Sequence, residues 1–402
     1  MQLTRSTSGG SAASSPASGA RRKLHMAPKL AYRNLFYDRL SLIVTLTGIV
    51  FSVVLVAVQC GLYIGSERTI AAVIDQTDGD IWIVPVGTKS FDDPSLLTGR
   101  ERFSALSAPG VASVENIMVS FSSWRKPKGG ATTILLVGSD WTGDDRALRP
   151  WNLVEGTLED VRAPSAVAAD RSYFKELGID KIDDTAEING TKVRVAAVTK
   201  GIRSFTTLPY VFTTRERAQM LMGASAEQSS YTLVRLDPGA DANKVREELA
   251  RRLPDAEVLL RDDFRQRSLD YWLFQTGAGA ALIAGALLGL IVGIVIVSQT
   301  LYSSTKDHLA EFATLRALGA SAGYIIQVIL LQAIISGLIG YLVGMLLSLL
   351  ILWASQDTTL NIVMTPGLGV ALFGITLGMC VIAAISAIFK VTRIDPAGVF
   401  SR

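Results

Sequence analysis

Four stretches of this chain are long, apolar and uncharged, and no other feature narrows its folding choices as much. They run Leu40–Ile64, Leu273–Leu301, Tyr324–Trp353 and Leu368–Phe389, and none contains Asp, Glu, Lys or Arg. Each supplies the ~20 apolar residues that carry an α-helix across the hydrocarbon core of a bilayer. A helix on the surface of a soluble protein keeps a polar face for water, so uncharged runs of this length read as membrane spans. Composition agrees, since 49% of the 402 residues are hydrophobic and only 19% charged. The fold class expected is an α-helical membrane protein with four transmembrane helices and an α+β extracytoplasmic domain inserted between helices 1 and 2.

The flanks of the spans set their orientation. Arg21, Arg22, Lys23, Lys29, Arg33 and Arg39 precede the first span, and Lys390, Arg393 and Arg402 follow the last. Residues 354–367, between spans three and four, carry no Lys or Arg. The positive-inside rule then places both termini in the cytoplasm, under the cytoplasmic (inner) membrane. The resulting organisation is a tail at 1–27, an interfacial helix and first span at 28–65, and an outer domain with its stalk at 66–272. Span two follows at 273–301, a cytoplasmic coupling helix at 302–323, and span three at 324–353. A short outer loop at 354–367 leads to span four and the cytoplasmic C-terminus at 368–402.

The tail is Ser, Ala, Gly and Arg with almost nothing to bury, the composition of a disordered segment. Pro28–Leu40 spaces Leu30, Leu35, Phe36 and Leu40 among basic residues, which suits an amphipathic helix in the membrane plane. In the outer domain, Ile81–Val86 and Thr132–Val137 are strand-like runs. Ala186–Val198 alternates across Asn189-Gly190, a strong hairpin signal. Val245, Leu249 and Leu253 have helical spacing after Asp241, a plausible N-cap. Stretches near Glu67–Asp75 and Arg261–Tyr271 look helical and would carry the spans outward as a stalk.

The search for an active site is negative. No phosphate-binding glycine loop occurs, and the two histidines, His25 and His308, fall on the cytoplasmic side. A histidine-based metal or triad site in the outer domain is therefore excluded. The formal charge of +3 and the lack of a basic face exclude a nucleic-acid partner. Cys60 and Cys380 lie in apolar runs and read as small core residues. Haem as a cargo would have to rely on Tyr63, Glu67 and Tyr271 near the outer ends of spans one and two.

The strongly polar residues within the spans are amides, among them Gln59, Gln299, Gln327 and Gln332. Ion-coupled transporters place ionisable groups inside the membrane. Energy for any transport should here come from outside it. Small residues recur at four-residue spacing: Gly285, Gly289 and Gly293 in span two, Gly340 and Gly344 in span three, Gly374 and Gly378 in span four. Such spacing lets helices approach closely in lipid, either at a homodimer seam or within one subunit.

The cytoplasmic loop is the most informative segment. Thr305–Ser321 reads TKDHLAEFATLRALGAS, with Leu309, Phe312, Leu315 and Leu318 at helical spacing, Glu311 and Arg316 among them, and Gly319 as a stop. A short apolar helix face flanked by charge suits docking into a groove on a partner.

Glu311–Ser321 (EFATLRALGAS) resembles the segment between spans two and three of FtsX/MacB-type ABC permeases, whose approximate pattern E-[IFY]-[AG]-x-[LM]-[KR]-A-[LI]-G-A it matches throughout. The order of one span, a large outer domain and three spans is similar to that family's layout. Ala108–Val114 (APGVASV) resembles the opening of the family's outer domain. Gly201–Thr213 (GIRSFTTLPYVFT) and Asp270–Gly279 (DYWLFQTGAG) look like the DevC subgroup. The resemblance covers roughly residues 28–400.

The resemblance implies a non-catalytic permease subunit that forms a homodimer and works with two copies of an ABC ATPase subunit. No cofactor is expected in this chain; ATP and Mg belong to the ATPase. The ATPase would dock on the helix at 305–320, which includes Leu309, with Phe312, Leu315 and Leu318 burying apolar surface, Glu311 and Arg316 orienting it, and Gly319 ending it. DevC-type permeases act with a periplasmic membrane-fusion adaptor and an outer-membrane channel to export lipids or glycolipids, so a lipid-like or amphiphilic cargo is the expectation. The alternative is a non-transporting, ATPase-driven signal transducer or regulator of cell-envelope enzymes, which would share the same loop.

Overall fold

The computed structural model describes residues 31–33, 35–140, 148–308, 311, 314, 321–355 and 361–392. The expected disordered tail lies outside the described residues. The described residues divide into two compact units, one made of those up to 57 with 285–349 and those from 365 on, the other of those within 58–284 with those within 350–364. Among the described residues four helices are long and apolar enough to cross a membrane.

Residues 31–33 and 35–37 are helical, and Ala31 is buried against Val328. Asp38 then interrupts the chain. Its carboxylate accepts from Ser41 N at 3.1 Å and its carbonyl from Leu42 N at 3.0 Å, which caps the next helix. That helix, α1 (Arg39–Asp75), runs 37 residues without a break. At 1.5 Å per residue it is about 55 Å long, well beyond a hydrocarbon core of ~30 Å.

Among the described residues the outer domain is built on ten strands. In chain order they are β1 (Ile81–Pro85), β2 (Val111–Arg125), β3 (Ala131–Ser139), β4 (Leu153–Glu155), β5 (Ala166–Asp170), β6 (Thr185–Ile188), β7 (Thr191–Thr199), β8 (Tyr210–Thr214), β9 (Tyr231–Leu236) and β10 (Ala256–Leu260). One lobe is the antiparallel run β10-β1-β9-β2. In the other the pairings close a circuit, β2-β3-β8-β5-β7-β6 and back to β2, with β4 flanking β7. The 15-residue β2 belongs to both: Val111–Ile117 pairs with β9 and Met118–Arg125 with β3.

The sequence signals fall where the physics puts them. Asn189 and Gly190 join β6 to β7 with φ of 48° and 84°, both positive as a type I′ turn requires. β1 is buried on both faces, which is why IWIVP reads as a continuous apolar run rather than an alternating one. Ile81 and Ile83 pack with α2 (Arg100–Leu106) and α3 (Ala242–Arg252) through Ala105, Val245 and Leu249. Trp82 and Val84 enter a second core that includes Leu135, Val137 and Phe212 from the circuit of strands, so the two lobes share buried surface. Asp241 caps α3 as expected, accepting from Asn243 N at 3.1 Å and Lys244 N at 3.3 Å.

The chain returns through α4 (Arg261–Leu269) and a π-helical turn, Asp270–Gln275. Gly277 follows at φ 79°, and only then does α5 (Ala278–Asp307) begin. The second long helix thus starts five residues later than its hydropathy suggests, because the widened turn and the left-handed glycine break the rod. The remaining long helices are α6 (Ala322–Ala354) and α7 (Pro366–Thr392). Pro366 takes the first position of α7, and Thr365 Oγ1 accepts from Leu368 N at 3.1 Å.

Candidate functional site: stalk, interhelical glycines and coupling segment

The stalk pairs the end of α1 with α4. Arg265 reaches Asp75 (Nε–Oδ1 3.1 Å) and Glu67 (Nη2–Oε1 3.8 Å), and Arg261 Nη1 donates to Thr77 O at 3.3 Å. These ion pairs are partly exposed and fix register more than they add stability. Beside them Ile70, Leu269 and Leu273 are buried, with Tyr63, Phe205 and Trp272 packed around. The three side chains considered for haem therefore serve elsewhere: Tyr63 in this cluster, Glu67 in the ion pair, and Tyr271 beneath the Lys89 ammonium, 5.3 Å from its ring centre. Among the described residues no three of His, Cys, Asp and Glu are grouped to hold a metal ion.

Two glycines that spacing alone did not single out shape α1. The outer-loop residues Asn361–Val363 lie along Gly61 and Gly65. A methyl at Gly65 would collide with the Asn361 carbonyl, and one at Gly61 would stand 2.9 Å from Ile362 Cγ2. Val363 N donates to Gly61 O at 3.0 Å, and Asn361 Nδ2 to Thr69 Oγ1 at 3.2 Å. A four-residue glycine spacing thus seats a loop as well as another helix. The missed signal was Gly61-x-x-x-Gly65 itself, which straddles the outer end of the first apolar run.

The glycines that were singled out divide into groups. Gly289 meets Leu55, Gly293 meets Ser52 and Met379, Gly340 meets Ile49, and Gly344 meets Val53. These four are buried within one subunit, and Ser52 Oγ donates to Gly289 O at 2.8 Å across the contact. Gly285 is half-buried. Gly374 and Gly378 are exposed, and a methyl added to either meets open space.

The coupling segment is described only in part. α5 ends at Asp307; Glu311 and Thr314 are helical, and His308 Nδ1 lies 3.2 Å from Glu311 Oε2. Leu309, Phe312, Leu315, Arg316, Leu318 and Gly319 lie outside the described residues.

A buried acid escaped the sequence reading altogether. Asp92, next to the Trp82–Phe91–Tyr231 aromatic group, accepts the Tyr210 hydroxyl at 2.6 Å. Burial pushes its carboxyl up to about 6, against the opposing effect of that hydrogen bond. Burial, and then the nearby Asp92 charge, raise the Tyr210 phenol well above its ordinary value. Nothing in the local sequence marks Asp92, because its partner is 118 residues away.

Comparison with known proteins matches residues 42–252 to the MacB-like periplasmic core domain and residues 283–396 to the FtsX-like permease C-terminal domain. A Mycobacterium tuberculosis protein named as an uncharacterized ABC transporter permease is 25% identical over 373 residues, 90% of this chain and 95% of its own length. A second such permease from that organism is 24% identical over 379 residues, 92% of this chain and 98% of its own. The crystal structure of the periplasmic region of MacB from Actinobacillus actinomycetemcomitans aligns with a TM-score of 0.36 and 14% identity, covering 50% of this chain and 96% of that one.

Proposed function

The chain belongs to the MacB/FtsX-like family of ABC transporter permeases, and from that premise we propose that it is the membrane subunit of an exporter, coupling ATP hydrolysis by a separate ATPase subunit to movement of its outer domain. The observation that carries this reading is α1: one helix serves as both span and stalk, so displacement at its base has no joint in which to dissipate. Rigid helices linked to a folded domain support hinge or shear transitions. The chain works as a homodimer in the inner membrane with both termini cytoplasmic. Gly374 and Gly378, open on the subunit's surface, suit the partner copy.

In this reading ATP and Mg sit in the ATPase, which docks on the helix around 305–320 through Leu309, Phe312, Leu315 and Leu318, oriented by Glu311 and Arg316. The cargo is lipid-like or amphiphilic, passed to a periplasmic adaptor and an outer-membrane channel. Uncharged spans favour an amphiphile that moves along the membrane surface over an ion that needs a polar path.

Purification of the tagged chain from its native host in mild detergent tests the reading. Recovery of an ATP-binding subunit with an adaptor is the expected result, and Leu315→Asp should abolish ATPase recovery while leaving the chain folded. Recovery of the ATPase together with a cell-wall hydrolase or sensor kinase would favour the transducer. Absence of any ATPase, even with non-hydrolysable ATP, would overturn both.

A further inference from the structure

A cavity of about 290 Å³ opens at the foot of the outer domain, lined by Thr88, Lys89, Glu257, Arg267, Tyr271 and Gln275. Its charges are unequal. Glu257 is fully engaged, with Oε1 accepting from Gly87 N at 2.7 Å and Oε2 from Arg267 Nη1 at 2.5 Å. Burial alone would raise this carboxyl, but those two donors hold it below its ordinary value, so it stays an anion matched to Arg267. Lys89 has no such match. Its ammonium stands over the Tyr271 ring at 5.3 Å, and among the described residues no carboxylate lies within ion-pair distance of it. The cavity therefore holds the Lys89 charge without an ion-pair partner, together with Tyr271, Gln275 and a guanidinium whose Nη1 already donates to Glu257 and to Thr88 O and which carries three further N–H donors on Nε and Nη2. An ammonium and a guanidinium lining one cavity are a donor set for a phosphate.

The surroundings are apolar. Phe274, on the same turn as Tyr271 and Gln275, is 53% exposed, and Val86, next to the Gly87–Lys89 wall, is 66% exposed. Gln275 is three residues from Ala278, where α5 begins, which limits the separation to about 11 Å of extended chain. Aromatic and amphipathic side chains are enriched where polar head groups meet acyl chains, and a three-residue tether to a helix of spanning length would keep Gln275 near such a depth.

We infer that this cavity binds the phosphate-bearing head group of a membrane amphiphile, with Lys89 and Arg267 on the phosphate and the acyl portion directed past Phe274. That the amphiphile is the cargo rests on the exporter reading above; that it binds does not.

The test uses the full chain in dodecyl maltoside, which carries no phosphate, and no ATPase. Three probes are titrated by calorimetry: dihexanoyl phosphatidic acid, dihexanoylglycerol and inorganic phosphate. Phosphatidic acid should bind at least about tenfold more tightly than either of the others, a difference of about 1.4 kcal/mol. Lys89→Glu should weaken it by about tenfold or more with the melting temperature unchanged, and Lys89→Arg should restore it. Equal binding of dihexanoylglycerol, or wild-type binding by Lys89→Glu, would overturn the site. Equal binding of inorganic phosphate would assign it to the free anion and overturn the amphiphile. Because no ATPase is present, failure here leaves the exporter reading standing, and loss of ATPase recovery leaves this site standing.

Discussion

The outer domain is joined to the spans in two ways that differ in kind. On the incoming side α1 is continuous from Arg39 to Asp75. On the outgoing side α4, a π-helical turn and the left-handed Gly277 come between the domain and α5. A continuous helix transmits force along its axis because each peptide is held by its neighbours one turn away. A π turn and a glycine at positive φ concentrate bending in a few residues. Under the proposed coupling the two connections would have different duties: α1 would drive, and the segment 270–277 would yield.

The harshest way to break this contrast is to put a joint in the driver. Arg68 is exposed on α1, so Arg68→Pro removes a helix hydrogen bond without disturbing a buried side chain. It should cost about 3 kcal/mol or more. It should also abolish the ATP-dependent distance change between spin labels on the two outer domains of a reconstituted complex. An unchanged distance response would show that α1 does not need to be continuous.

Next in size is a pH effect on the anchor of the yielding side. Phe264 of α4 packs on Trp82, which contacts Phe91, the neighbour of Asp92. Asp92 has its folded-state carboxyl raised from 3.8 to about 6. The folded domain therefore binds this proton more tightly than the unfolded chain does. The contribution is complete below pH 3.8 and is lost as pH rises through about 6, up to about 3 kcal/mol in all. Asp92→Asn should flatten the pH dependence of the melting temperature in that window and stabilise the protein at neutral pH. Asp184, held low by the Asp180 and Lys181 amides, titrates below the window and acts in the opposite sense. A variant with the wild-type slope between pH 4 and 7 would remove Asp92 from the account.

The smallest effect sharpens the contrast. Gly277→Ala forces a side chain into the left-handed region at φ 79°, a strain of about 1–2 kcal/mol. No neighbouring atom would meet the added methyl, so the strain is purely conformational. Coupling should weaken with only a modest loss of thermal stability. Full coupling would mean that the π turn alone supplies the bend.

What was legible in the sequence is what depends on near neighbours. The uncharged runs, the Asn189-Gly190 turn and the Asp241 cap each satisfy a local rule, and each falls where that rule places it. The start of the second long helix was misplaced because hydropathy sums over residues 273–277 without registering a change of helical pitch. The glycine stripe proved ambiguous for a related reason. Spacing reports that helices approach closely but not which ones, and Gly340 against Ile49 looks no different in sequence from the open Gly378. Asp92 with Tyr210, and the dual pairing of β2, depend on partners far along the chain that no window includes.

The stalk ion pair has a consequence for how the protein is made. Arg265 follows Asp75 by 190 residues. At about 5–20 residues per second, α1 waits roughly 10–40 s on the ribosome's clock before Arg265 exists. The first span must therefore be held in the membrane by its own hydrophobicity, with Glu67 and Asp75 facing water, while the entire outer domain is threaded across. Closure of the stalk ion pair then waits for the outer domain to be made, and the loop at 361–363 seats on Gly61 and Thr69 of α1 later still.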